Sequence, residues 1–287
     1  MTTLVDDDAR LEKVWDGAGW AEGPVWLPER EALRFSDIPR NRILEFRPAT
    51  GEVTVYKSEA GYVNGRTTDL EGRVVQCSNQ ERRVERDVDG VVSMVVDRFE
   101  GRRFNSPNDI VVAGDGAIWF TDPPYGLGRG NDGVKEYEGC FVFRYDEQTG
   151  ELRAAITDIV HPNGLAFSPD ESVLYVADTG SDRGDGSADA LRAYDVADDG
   201  VVTAGRTLGD PGHVDGFRVD VEGRLWMSTH EALVVWSSGG DELLRLTLPP
   251  TVTNVAFGGN GHDLYVTTST SLYRLRTATL PAPRPAR

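Results

Sequence analysis

Cysteine is almost absent from this chain. The 287 residues contain only Cys77 and Cys140, which excludes a disulfide framework and fits a reducing cytoplasm, with a single bridge between the two left open. Basic residues are also scarce: 30 Lys and Arg stand against 47 Asp and Glu, a formal charge of −17. Nucleic-acid binding requires clustered Lys and Arg to neutralise phosphates, so no nucleic-acid partner is expected. The acidity favours solubility and draws cations inward. No apolar run approaches the roughly 20 residues that span a bilayer, and the first residues carry no apolar core of a signal peptide. A soluble cytoplasmic protein with no membrane partner is the expectation.

Familiar catalytic signatures are missing too. There is no Gly-x-Ser-x-Gly elbow, no phosphate-binding Gly-rich loop and no His-Glu-x-x-His. Gly126-Leu-Gly-Arg-Gly lacks the strand–helix context of a dinucleotide site, and the acidic loop 182–189 lacks the ligand spacing of an EF-hand. Histidines number four, His161, His213, His230 and His262.

What the chain does have is a repeat. Its template is the stretch from His161 to Thr179, a short apolar run, a Ser-Pro-Asp-Glu turn, and the β-prone run Val-Leu-Tyr-Val-Ala-Asp. Two further alternating runs complete a four-stranded antiparallel meander. The second run recurs around Phe35, Gln76, Phe120, Val176, Met227 and Val266, at spacings of 41, 44, 56, 51 and 39 residues. Four-stranded blades need about 40–50 residues each. The spacing therefore predicts an all-β fold, a six-bladed β-propeller with four antiparallel strands per blade, occupying residues 1–287 as one domain. The last copy supplies only three strands, and the alternating segment from Arg10 to Trp15 is expected to close it. Residues 1–8 and the Ala/Pro/Arg-rich tail from Thr277 are expected to be flexible. Two copies carry insertions, Asp122 to Gly139 and Gly180 to Asp189, which read as candidate lids or specificity loops.

Twelve or thirteen residues before each anchor, a polar residue opens the first run of the copy. These are Glu22, Asn64, Asn108, Asn163, Asp215 and Asn254. First strands line the channel of a propeller, so the six positions predict a ring of oxygen donors around the axis. An isolated Asn-Gly or Asp-Gly is usually a turn. A register kept through six copies is not, and Glu22, set between Trp20 and Pro24-Val25-Trp26, is costly to bury without a counter-ion. Glu22, Asn163 and Asp215, with Asn108 next to them, are the candidate ligands of one divalent metal. Hard oxygen donors favour calcium, then manganese, magnesium or iron(II), and zinc less because its His and Cys partners are poorly supplied. His161 and His213 each stand two residues before a ring position, which could aim them at the channel mouth.

The stretches Ala21-Glu-Gly-Pro-Val-Trp, Asn105-Ser-Pro-Asn-Asp-Ile-Val-Val, Trp119-Phe-Thr-Asp-Pro-Pro-Tyr-Gly, Pro162-Asn-Gly-Leu-Ala-Phe-Ser-Pro-Asp-Glu and Val214-Asp-Gly-Phe-Arg-Val-Asp resemble the senescence-marker-protein/gluconolactonase/regucalcin-like family, its bacterial sugar-lactonase branch most closely. The resemblance covers nearly the whole chain. It implies a six-bladed propeller, a divalent metal at the residues matching Glu22, Asn163 and Asp215, and a substrate contact at the residue matching Asn108. The implied activity is metal-dependent hydrolysis of an aldonolactone, such as glucono-lactone, to the sugar acid. This chain departs from the animal members at Asn105-Ser-Pro-Asn, where those carry a substrate-binding arginine. Asp215 is the expected general base, with Asn64, Asn108, Tyr125, His161 and His213 the expected substrate contacts. A diisopropylfluorophosphatase-like phosphotriesterase and a non-enzymatic calcium-binding propeller are the rival readings.

Overall fold

The computed structural model describes residues 4–6, 10–203, 205–249 and 251–283. Among them are six four-stranded antiparallel sheets in a ring, one two-stranded ribbon, and three short 3-10 turns. Strand order within each sheet follows the chain except at the closure. Blade 1 is formed by Ala21–Leu27, Ala32–Asp37, Arg42–Arg47 and Glu52–Ser58. The inner strands of blades 2 to 6 are Val63–Thr68, Ile110–Val112, Pro162–Phe167, Val214–Val219 and Val252–Gly258. Each touches the inner strands of its two neighbours, blade 6 meeting blade 1.

The N-terminal strand Glu12–Asp16 closes the ring by pairing with Ser271–Arg276, Lys13 opposite Tyr273 and Trp15 opposite Leu272. That contact covers the open edge of the last blade. The closure is also sealed by side chains. Trp26 of blade 1 stacks on Tyr265 of blade 6 with centroids 5.9 Å apart, and Thr253 Oγ1 donates to the Ala21 carbonyl at 2.6 Å.

Second strands are buried along their whole length, as in Ala32–Asp37 and Leu225–Thr229, apart from the half-buried first residues Val173 and Asp263 of blades 4 and 6. Both of their faces pack against neighbouring blades, so the apolar/polar alternation of a half-exposed strand disappears. Five of the six anchors are apolar and fully buried; the sixth, Gln76, is equally buried and donates from Nε2 to Glu85 at 2.9 Å.

Three features differ from expectation. The last strand of blade 4, for which the sequence offers the run from Val201 to Leu208, starts only at Arg206, because a tight turn (Gly200 N–H to Ala197 O, 2.8 Å) takes up the residues before it and leaves Val202 only an isolated bridge to Val196. The C-terminal segment is packed rather than loose through residue 283. Thr277 bridges Val5, Ala278 N–H donates to Leu4 O at 3.0 Å, and Pro281 bridges Asp220 on the underside of blade 5. Leu4 and Val5 themselves cover an apolar cluster of blades 5 and 6. Residues 1–3, 7, 8 and 284–287, also expected to be flexible, lie outside the described residues. Finally, the insertion that begins at Asp122 is docked on blade 2: Asn131 Nδ2 donates to the Asn79 carbonyl at 2.9 Å, and Arg82 Nη1 to Asp132 at 3.0 Å. Cys77 and Cys140 are both buried and free. No helix among the described residues is long and apolar enough to cross a membrane.

Candidate active site at the propeller axis

The polar ring forms because the inner strands are irregular where they start. In blades 1, 2, 4 and 5 the ladder slips between the ring residue or its predecessor and the position three further on, as at Glu22/Val25 and Pro162/Leu165. Such bulges re-aim a side chain out of the pleat. The residue after the ring position then lies against the next blade. A Cβ on Gly164 would stand 2.3 Å from the Asp215 carbonyl oxygen, and one on Gly23, which also has φ +54°, 2.1 Å from the Asn64 carbonyl. Glycine is thus set there by the close approach of neighbouring inner strands rather than by a reverse turn.

Glu22, Asn108, Asn163 and Asn254 are buried at the axis. Asn254 Nδ2 donates to Glu22 Oε2 at 2.9 Å, and the Gly23 amide donates to the same oxygen. Glu22 Oε1 and Asn163 Oδ1, by contrast, are buried with no hydrogen-bond partner. Burial first, and then the charge of Asp215, raise Glu22 well above the usual carboxylate range; burial likewise raises Asp215. The two carboxyls share a proton-hungry site. Arg66, the nearest buried cation on an inner strand, has its fork committed to the Gly23 carbonyl at 2.8 Å and to Ser36 Oγ at 2.6 Å. Among the described residues neither Glu22 nor Asp215 forms a salt bridge, and no three His, Cys, Asp or Glu gather into one metal cluster. The donor set is instead two carboxylates completed by Asn oxygens. A pair of carboxylates with no counter-cation, in which Glu22 Oε1 is unpartnered, beside the unpartnered Asn163 Oδ1, fits a hard divalent cation.

Above the ring opens a cavity of about 320 Å³. Of the residues singled out in the sequence, Glu22, Asn64, Asn108, Tyr125, Asn163, His213 and Asp215 line it. His161 does not; its ring stands edge-on to Tyr125, centroids 5.7 Å apart. His213 is held by two carboxylates of the blade 4 insertion, Asp189 at 3.3 Å and Asp182 at 3.6 Å. Tyr125 ties the first insertion to the end of the strand Val173–Thr179, where the second insertion begins, through a hydrogen bond to Thr179 Oγ1.

Sequence reasoning missed Trp20, Ile38, Asn79, Arg129, Asp182 and His230, all of which line the cavity. A signal for three of them was present. Ile38, Asn79 and His230 each follow a second-strand anchor (Phe35, Gln76, Met227) by three residues, so the repeat that locates the ring also locates its upper rim. His230 stacks on His213 with centroids 4.0 Å apart, and burial lowers its pKa.

Residues 20–270 match the family model described as the SMP-30/Gluconolactonase/LRE-like region. The chain is 31% identical to a gluconolactonase of Zymomonas mobilis over 97% of its own length and 84% of that protein's. It is 30% identical to a pentonolactonase of Haloferax volcanii, covering 94% of this chain and 85% of the other. Among solved structures, a gluconolactonase from Xanthomonas campestris superposes with a TM-score of 0.88 at 36% identity, over 96% of this chain and 91% of that one. A calcium-binding regucalcin from Agrobacterium tumefaciens shares the fold, with a TM-score of 0.75 at 17% identity over 96% and 98% of the two chains.

Proposed function

Since the chain belongs to the SMP-30/Gluconolactonase/LRE-like family, we propose that its axial cavity is the active site of a lactonase that opens a sugar lactone to the sugar acid. The observation that carries this reading is the character of the cavity. Its wall is mostly Asn, Asp, Arg and His, with Trp20, Ile38, Pro39 and Tyr125 as the apolar members. Its 320 Å³ lies at the small end of ligand pockets, about 300–1,000 Å³. A hydroxyl-rich ring suits such a wall better than an apolar phosphotriester does. An open cavity above the ring also argues against a purely structural ion.

Glu22, Asn163 and Asp215 would hold one divalent cation, calcium first among the hard ions, with Asn108 beside it. Bound there, the ion would supply Lewis-acid polarisation of an ester carbonyl. The side chains account for the rest. Asp215 accepts a proton from the attacking water. The water oxygen bonds to the carbonyl carbon, the ring C–O bond breaks, and the proton passes from Asp215 to the departing ring oxygen, which becomes a hydroxyl. The amides of Asn64 and Asn108, from the neighbouring blades 2 and 3, orient the ring. His213, fixed by Asp189, meets the sugar hydroxyls at the rim.

The test is a pH-stat screen of hexono- and pentonolactones and of a phosphotriester, with metal removed by chelation and then restored. Lactone hydrolysis that is lost and regained with metal is expected. Phosphotriester turnover without lactone turnover refutes the reading. Asp215→Asn, saturated with metal, should lose at least about a hundredfold in kcat, the low end of general-base contributions; a near wild-type rate would reduce Asp215 to a ligand.

A further inference from the structure

Asp122 is a fully buried carboxyl outside the ring, and the reaction above makes no use of it. It follows the second strand of blade 3, Ile118–Thr121, where the first insertion begins. Its Oδ1 accepts the Ser106 amide at 2.8 Å, and its Oδ2 accepts the Asn105 amide at 2.7 Å together with the Tyr137 hydroxyl. Burial lifts its pKa to about 6, and those three donors oppose the rise.

A second set of bonds surrounds the first. Asn105 Nδ2 donates to the carbonyls of Asp122 at 3.0 Å and Gly139 at 3.1 Å. Ser106 Oγ donates to the Pro123 carbonyl at 2.6 Å and accepts the Gly126 amide at 2.9 Å. Two segments therefore converge on the carboxylate, the approach to Asn108 and the return limb of the insertion at Tyr137, and the turn bearing Tyr125 is tied to them through Ser106 Oγ. The sheet is paired without it. The Thr121 backbone already ties both Asn108 and Asp109, accepting from Asn108 N–H at 2.9 Å and donating to Asp109 O at 3.0 Å. What Asp122 adds falls on residues 105 and 106, which belong to no strand.

We propose that Asp122 is a positioning residue of the active site: by accepting from Asn105, Ser106 and Tyr137 it sets where Asn108 and Tyr125 stand against the substrate. This rests on the reading of the cavity as a lactone site. The three residues that would hold the cation, Glu22, Asn163 and Asp215, lie in blades 1, 4 and 5, outside this clasp, and of the site only Asn108, beside the ion, is tied to it.

Asp122→Asn is the decisive variant. The amide keeps the shape but must turn its NH2 towards at least one of the two backbone N–H groups now 2.7 and 2.8 Å away, and donor facing donor pushes them apart. The metal-loaded variant should lose about 10- to 100-fold in kcat/KM, with KM raised, as expected for a misplacement near 1 Å. Calcium affinity measured by calorimetry should stay within about threefold, and amide exchange at Asn105, Ser106 and Asn108 should quicken at least about tenfold, both relative to wild type. Unchanged KM and kcat, or unchanged exchange at these three amides, overturns the proposal, as does a fall in melting temperature alone. If Asp122→Asn does not fold, Ser106→Ala cuts the same clasp without changing charge and must raise KM at least about threefold; otherwise the proposal fails. Should wild type hydrolyse no lactone, the cavity reading falls by itself, and gluconate titration of the loaded proteins takes the place of KM: equal affinity for wild type and variant overturns the positioning role.

Discussion

Gly164→Ala tests the packing of the ring with one methyl group. Gly164 follows Asn163 in blade 4, and its φ lies outside the left-handed region, so alanine adds no backbone strain there. Its Cβ would meet the Asp215 carbonyl oxygen at 2.3 Å and the Gly216 Cα at 2.9 Å. Both are backbone atoms of blade 5, which cannot rotate aside. Restoring an ordinary contact of about 3.4 Å requires the two inner strands to separate by about 1 Å. Overpacking of this kind costs about 1–3 kcal/mol, or roughly 2–10 °C in melting temperature for a domain of this size. The same displacement separates Asn163 from Asp215, the two ring members whose side chains meet across this seam, and a shift near 1 Å at a reacting group costs about a hundredfold in rate. The assay pairs thermal unfolding with lactone hydrolysis and calcium titration. Gly239→Ala is the control: its nearest neighbour is Ser237 Oγ at 3.6 Å, so it should be silent. Wild-type stability and rate in Gly164→Ala would refute the claim that close strand approach sets the glycine and the ring.

Glu22→Gln removes one charge from a site in which Glu22 Oε1 and Asn163 Oδ1 have no hydrogen-bond partner, and elemental analysis after desalting should find metal content reduced at least about tenfold, the loss of a first ligand exceeding that of an outer partner. Metal content equal to wild type would remove Glu22 from the ligand set. The carboxyl pair also sets a pH dependence. Both groups are raised in the metal-free fold, so their contribution to stability is present below the unfolded carboxylate range, about pH 4, and is lost as pH rises through the folded values. Chelated protein should therefore melt lower at pH 8 than at pH 5.5, whereas calcium affinity should climb by up to about tenfold per pH unit as the shared proton is displaced; a calcium affinity flat across that range would count against a shared proton. Deletion of residues 1–16 exposes the edge of Ser271–Arg276, and size-exclusion chromatography should show association or aggregation; a stable monomer would mean that the closing strand is dispensable.

Much of this protein is decided locally. The number of blades, the order of strands within each, the N-terminal closing strand and the ring of six polar residues all follow from a repeat of about 40–50 residues, because a blade of that size buries its faces only against another blade. The rim positions Ile38, Asn79 and His230 were equally within reach, three residues past each anchor, since a repeat carries every equivalent position with it. Tertiary structure decided what the repeat does not contain. The insertion from Asp122 is unlike any other copy, and its docking onto Asn79 and Arg82, its tie to Asp122, and the delivery of Tyr125 and Arg129 to the cavity arise from contacts between blades. His161 and His213 hold equivalent sequence positions, yet only His213 faces the cavity, because Asp182 and Asp189 take hold of it while His161 packs against Tyr125. The C-terminal segment reads as loose by composition and is ordered by partners distant in the chain, Leu4 and the blade 5 loop at Asp220. A period records what each unit must do to pack against its neighbour; the pairing of residues that break the period is settled only once the ring is closed.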